Sequence, residues 1–193
     1  MSQGPLIVGI GGTTRQDSTS ERALRFALQL AERRGAVTQC IDGPSLPIEP
    51  YDPSAPLRSD GARQLVAALR RADGVIVATP SYHGSLSGLV KNALDYVEDL
   101  REDTRTYLDG RAVGILVVAE GAQSMGSTLI ALRSIVHSLR GWPTPYAATI
   151  DAKARPFGAD GQSASPAVSD AIDLVVGQVV EFARMRALLA AAS

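Results

Sequence analysis

The sequence contains a single cysteine, Cys40, in 193 residues. One cysteine excludes an internal disulfide. Its position in an apolar–polar alternation favours a small buried residue over a reactive thiol. Only two histidines occur, His83 and His137. They lie on separate elements without metal-ligand spacing, so no zinc or iron site is expected. Glu98, Asp99, Glu102 and Asp103 read as a solvated acidic patch. Neither sign of charge is in excess: the formal net charge is −1, so nucleic acid and acidic membranes are not expected partners. No apolar run approaches membrane-spanning length. Gly4 and Pro5 interrupt the start, and Leu6-Ile7-Val8 is too short for a secretory signal core, so a cytoplasmic, reducing compartment is expected. Three signatures are also missing. There is no G-x-x-x-x-G-K-[ST] loop and no G-x-S-x-G elbow. The dinucleotide fingerprint G-x-G-x-x-G is incomplete: Gly9 and Gly11 fit, but Thr14 occupies its third glycine position, although Asp42 stands where a ribose-binding acid would.

What is present is alternation. An apolar fraction of 45% suits a globular chain, and the length suits one domain, residues 1–193. Strand-like runs cover Leu6–Ile10, Ala36–Ile41, Val75–Thr79, Val113–Ala119 and Tyr146–Ile150. Helical patterns fall near Ser20–Arg34, Asp60–Ala72, Gly88–Leu100, Gly126–Arg140 and Ser169–Leu189. Near-continuous Val/Ile/Leu runs suit parallel strands covered on both faces. The pattern predicts an α/β, doubly wound, five-stranded parallel sheet in the flavodoxin-like order 2-1-3-4-5. Gly43–Leu57 and Arg155–Pro166 read as surface loops.

In such a sheet ligands bind beyond the carboxyl ends of the strands at the switch point, which selects three loops. The first, Gly11-Gly12-Thr13-Thr14-Arg15-Gln16-Asp17-Ser18-Thr19-Ser20, joins strand to helix. Small residues, several hydroxyls, one guanidinium and a helix start together suit a phosphate monoester; the competing reading is an ordinary turn capped by Ser20. The second, Thr79-Pro80-Ser81-Tyr82-His83-Gly84-Ser85, offers backbone edges and an aromatic face to a planar ring, or is a simple Pro-Gly turn. The third, Glu120–Ser127, would flank that ring, or is a capped βα loop. A phosphate at one strand end and a flat heterocycle at the next describe flavin mononucleotide (FMN).

Gly12-Thr13-Thr14-Arg15-Gln16-Asp17-Ser18-Thr19-Ser20 resembles the G-S-x-R-x-x-S-x-N loop of NAD(P)H-dependent FMN reductases. The segment Pro80-Ser81-Tyr82-His83-Gly84-Ser85-Leu86-Ser87-Gly88-Leu89-Val90-Lys91-Asn92-Ala93-Leu94-Asp95 resembles their P-x-Y-N-x-S-x-P-G-x-L-K-N-A-[IL]-D. The resemblance implies that Thr13, Arg15, Ser18 and Ser20 hold the FMN phosphate, and that Pro80, Ser81, Tyr82, His83, Gly84 and Ser85 follow ribityl chain and isoalloxazine. Glu120, Gly121 and Ser124 belong to the third candidate wall. His83 stands where the family usually has Asn, Ser87 where it has Pro, and Ser20 where it has Asn. The implied activity is hydride transfer from NADPH or NADH to flavin N5, with no dedicated acid–base residue. Family members supply reduced flavin to monooxygenases, or reduce azo compounds, quinones or chromate. A non-enzymatic electron carrier is a third reading, but such carriers are usually strongly acidic. Arg101, Arg105 and Arg133 are candidates for a nicotinamide 2′-phosphate, or simply surface arginines.

A homodimer or homotetramer is also expected. Leu89, Val90, Ala93, Leu94 and Val97 give the helix after the second loop a wide apolar face. The alternative is that all five pack on the chain's own sheet.

Overall fold

The computed structural model describes residues 4–192. Five parallel strand positions form the sheet in the order expected. Strand β1 (Leu6–Gly11) lies between β2 (Val37–Asp42) and β3 (Gly74–Tyr82), and β3 pairs with β5 (Ala112–Ala119). The fifth position is split into β6 (Trp142–Pro143) and β7 (Ala148–Asp151), both parallel to β5. Pro143 and Pro145 have no N–H to give a ladder. Between them Thr144 turns inward, its Oγ1 donating to the Tyr146 carbonyl at 2.7 Å.

Helices α1 (Thr19–Arg33) and α5 (Pro166–Ala191) cover one face; α2 (Asp60–Arg71), α3 (Gly88–Asp95) and α4 (Ala122–Ser138) cover the other. Strand residues Ile7, Ile76 and Leu116 face α1 and α5. Val8, Val75, Val77 and Ile115 face the opposite layer. Every one of these side chains is fully buried, which is why the strands read as unbroken apolar runs.

Several boundaries differ from the sequence reading. α1 starts one residue earlier, because Ser18 rather than Ser20 caps it: the Ser18 Oγ accepts from the Glu21 amide at 3.2 Å. α3 tightens after Asp95 into a 3₁₀ turn, Tyr96–Leu100. α4 starts at Ala122, so most of the expected third loop is helix. No side chain caps it, and Gly126 inside the first turns was a misleading break signal. β3 runs past Thr79 because a two-residue strand, β4 (Ser85–Leu86), folds back antiparallel onto Ser81 and Tyr82.

The apolar face of α3 is used within the chain. Val90, Ala93, Leu94 and Val97 are buried and Leu89 packs against the same core. The segment 155–166 is not a plain surface loop either: Phe157 is buried, with its ring centroid 6.0 Å from that of Phe26 on α1. Among the described residues, no helix is long and apolar enough to cross a membrane, and no His, Cys, Asp and Glu cluster could hold a metal ion.

Candidate active site

The carboxyl ends of β1, β3 and β5 open onto one cleft of about 620 Å³. That lies within the usual range for a small-molecule pocket, ~300–1,000 Å³. Three segments distant in sequence form its walls.

The first wall is the β1–α1 loop. Gly11 (φ +142°) and Gly12 (φ +90°) turn the chain out of the sheet, and the Gly12 amide donates to the Ala78 carbonyl at 3.1 Å. Thr13 Oγ1 accepts from the Arg15 amide at 3.1 Å, closing a tight turn. Asp17 sits at φ +56° and gives its amide to Glu21 Oε2 at 3.0 Å. Ser18 then caps α1. This is a capping-box sequence, Ser18-Thr19-Ser20-Glu21, with the Glu reaching one residue further back than usual. Ser18 and Ser20 are buried at the base of the cleft, their hydroxyls 3.3 Å apart. By position the first-turn amides of Thr19 and Ser20 have no intrahelical acceptor. The side chain of Arg15 is exposed and borders the cleft. Among the described residues its guanidinium has no hydrogen-bond or ion-pair partner.

The second wall is the end of β3 and its hairpin. His83 (φ +53°) and Gly84 (φ +83°) form a two-residue turn with both residues left-handed, the geometry in which Asn and Gly are favoured. That explains why His can replace Asn at this position: both belong to the few residue types enriched at positive φ. Pro80, Ser81, Tyr82 and His83 line the cleft; Gly84 and Ser85 do not. Ser81 is fixed by three groups on α4: its hydroxyl bonds the Ser124 hydroxyl, the Thr128 hydroxyl at 2.7 Å and the Ser124 carbonyl at 3.2 Å. The Tyr82 side chain is free of the core, with the residue 54% exposed. Behind this wall, Ser87 caps α3 by accepting from the Val90 amide at 3.2 Å. A serine there satisfies a donor that a proline could not.

The third wall joins Val118, Ala119, Glu120, Gly121 and Ser124, at the start of α4. Ala152, just after β7, completes it. Sequence reasoning missed Thr19, Val118, Ala119 and Ala152. Thr19 and Ala119 adjoin named residues, and Val118 is the next residue back along β5. Ala152 carried no chemical signal; only the topology, which puts the end of the fifth strand beside β5, brings it to the cleft.

Several residues weighed from sequence are occupied elsewhere. Asp42, which mimics a ribose acid, pairs with Arg25 and accepts from Ser45 Oγ at 3.0 Å. Arg105 donates to the Arg70 and Ala72 carbonyls at the opposite end of the sheet. Arg133 donates to the Thr144 and Pro145 carbonyls, and Arg101 pairs with Glu98. The acidic patch is also partnered: Asp99 takes a bidentate contact from Arg58, both distances 2.8 Å, and Asp103 pairs with Arg70 at 2.7 Å. Cys40 is half-buried rather than buried; that burial, with Asp42 nearby, pushes its thiol up to about 11, so it is protonated at neutral pH.

Known proteins resemble this chain in sequence and in fold. An FMN-dependent NADPH-azoreductase of Staphylococcus aureus is 28% identical over 139 residues, covering 69% of this chain and 70% of that protein. An NADPH azoreductase of a Bacillus species is 26% identical over 113 residues, 58% of this chain and 60% of the relative's length. The flavoenzyme NAD(P)H:(acceptor) oxidoreductase FerB of Paracoccus denitrificans has the same fold, with a TM-score of 0.74 at 19% identity over 94% of this chain and 98% of that one. The family described as NADPH-dependent FMN reductase matches residues 5–155, and the chain belongs to it.

Proposed function

We propose that the protein binds FMN in the cleft and works as an NAD(P)H-dependent flavin reductase. One observation carries this reading. An unpartnered guanidinium, two buried hydroxyls and the open first-turn amides of a helix converge on one end of a cleft whose far side is an aromatic hairpin. A phosphate monoester satisfies the first set; a planar ring suits the second. The residues present therefore fit FMN. Arg15, Thr13, Ser18 and Ser20, with the amides of Thr19 and Ser20, would take the phosphate. Pro80, Ser81, Tyr82 and His83 would lie along the rest of the cofactor, and Glu120, Gly121 and Ser124 would border it from α4. Gly84 and Ser85 serve this reading through the turn rather than by contact.

FMN held there would supply the redox chemistry that links a nicotinamide to an acceptor. The protein contributes position. The Ser81–Ser124–Thr128 hydroxyl cluster locks the end of β3 to α4 and keeps the two walls at a fixed separation. Rigid walls hold reactants close and aligned. No side chain in the cleft is required to move a proton in the nicotinamide step.

An azo compound is a second acceptor class, favoured by the names of the two relatives. A quinone or chromate fits the same chemistry, as does a monooxygenase fed by reduced flavin. The reading includes a homodimer or homotetramer, since Tyr82 is left open in one chain and a second copy would shield the ring. Val90, Ala93, Leu94 and Val97 of α3 are spent within one chain, so the pairing contact would use other residues. One cysteine held protonated suits a reducing cytoplasm.

Anaerobic mixing tests the function. The FMN-loaded protein is expected to lose its oxidised flavin absorbance on addition of NADPH or NADH, and to regain it when an azo dye, a quinone or free FMN is added. A bound flavin that neither nucleotide reduces would overturn the enzymatic reading in favour of a carrier.

A further inference from the structure

Two carboxylates lie directly beneath the loop just assigned to a phosphate. Glu21 has a side chain only 7% exposed, and Asp42 one only 15% exposed. Both touch the loop's framework. Asp42 is the register partner of Gly11, where the loop leaves β1. Glu21 approaches Gly12 so closely that a Cβ there would lie 3.5 Å from its own. Its Oε2 accepts the amide of Asp17, the residue held at φ +56°. Left alone, two poorly solvated negative charges would disfavour a phosphate dianion bound at the loop. They would also repel each other.

Arg25 stands between them. Its Nε donates to Glu21 Oε1 at 3.1 Å and its other arm pairs with Asp42. Half of the Arg25 side chain faces solvent, and none of it lines the cleft. The contact divides the Glu21 carboxylate cleanly: one oxygen belongs to Arg25, the other to the Asp17 amide. Fixing the first aims the second.

We propose that Arg25 is a positioning residue for the ligand's phosphate: by bridging Glu21 and Asp42 it holds the Asp17 kink in place and offsets part of the two carboxylates' negative charge under the loop. This rests on the FMN reading of the cleft. It adds that phosphate affinity is set partly by a residue one helical turn behind the loop. The site thus has two arginines with different tasks. Arg15 is offered to the ligand; Arg25 is spent on the framework. An Arg is needed for the second task because its fork reaches two carboxylates at once, which a Lys point charge does less well.

The test compares Arg25→Met, Arg25→Lys and the double variant Glu21→Gln with Arg25→Met. FMN and riboflavin are titrated into each, and the apo proteins are followed by amide hydrogen exchange. Riboflavin has no phosphate, so it reports an intact cleft. Arg25→Met is expected to weaken FMN about tenfold or more, with riboflavin changed less than about twofold. Arg25→Lys should fall between. In the double variant the side-chain amide introduced by Glu21→Gln keeps an oxygen for the Asp17 N–H but carries no charge, so most of the lost FMN affinity should return. In apo Arg25→Met the Asp17 amide should exchange faster than in the wild type. Equal losses for FMN and riboflavin, or unchanged FMN binding, would overturn the proposal, as would unaltered Asp17 exchange. Failure of the wild type itself to bind FMN would instead overturn the functional reading, and the exchange measurement would still decide the role of Arg25 in shaping the loop.

Discussion

Arg15→Ala is expected to weaken FMN binding roughly 10- to 150-fold, corresponding to on the order of 1.5–3 kcal/mol for one lost charge-assisted contact. Riboflavin affinity should change little. The expectation follows from how the guanidinium is left. The two arginines that follow the loop on α1 are engaged: Arg22 donates to the Gly158 carbonyl at 2.6 Å, and Arg25 bridges two carboxylates. Arg15 has no such partner among the described residues, so its removal takes nothing from the fold. Thermal stability should therefore stay within about 0.5 kcal/mol of the wild type, as for a surface change away from structural contacts. Paired titrations of FMN and riboflavin with a melting curve check all three parts. Equal losses for the two flavins would make Arg15 a structural residue.

Gly11→Ala is expected to do the reverse, damaging fold and site together. A methyl group there would sit 1.9 Å from the Ala78 carbonyl oxygen, and φ is +142°. Neither partner can yield, because Ala78 is inside β3 and paired on both sides. The bond from the Gly12 amide to the Ala78 carbonyl would break. Backbone strain and a forced shift of the strand end together should cost at least about 3 kcal/mol, or a fall in Tm of about 6–12 °C for a chain of this size. Flavin binding should fall with it, and riboflavin should suffer as much as FMN. The contrast between Gly11 and Arg15 in the riboflavin titration separates loop shape from phosphate contact. A Gly11→Ala protein with unchanged Tm would show that the strand end has freedom the packing denies.

Most of the sheet was legible because periodicity reports burial directly. Leu6–Ile10 and Val113–Ala119 are covered on both faces, and only continuous apolar strands look like that. The order of strands followed from handedness and from connections that carry helices. Less legible were elements decided by pairing at a distance. β4 is two residues long and exists because the His83-Gly84 turn lays it on Ser81 and Tyr82. The break between β6 and β7 depends on Thr144 turning its hydroxyl inward between two prolines. The start of α4 was hidden because no side chain caps it.

The candidate site divides the same way. Thr13, Arg15, Ser18 and Ser20 share one short loop and carry the chemistry themselves. Ala152 has no chemistry and is reached only by topology. The apolar stripe of α3 is ambiguous for a related reason: its width suggests a second surface, yet Leu89 and Val97 pack into the chain's own core. Sequence shows which residues seek burial, not whether the burial is within one chain or between two.

If the loop Gly11–Ser20 is built for a phosphate monoester, FMN and not NAD is the resident nucleotide. Titration of free FMN with the wild-type protein, followed by flavin fluorescence, tests this most directly, with NAD measured in parallel. Saturable quenching of FMN at micromolar protein, with much weaker binding of NAD, is the expected result. Unquenched FMN at high micromolar protein, alongside tight NAD binding, would contradict it.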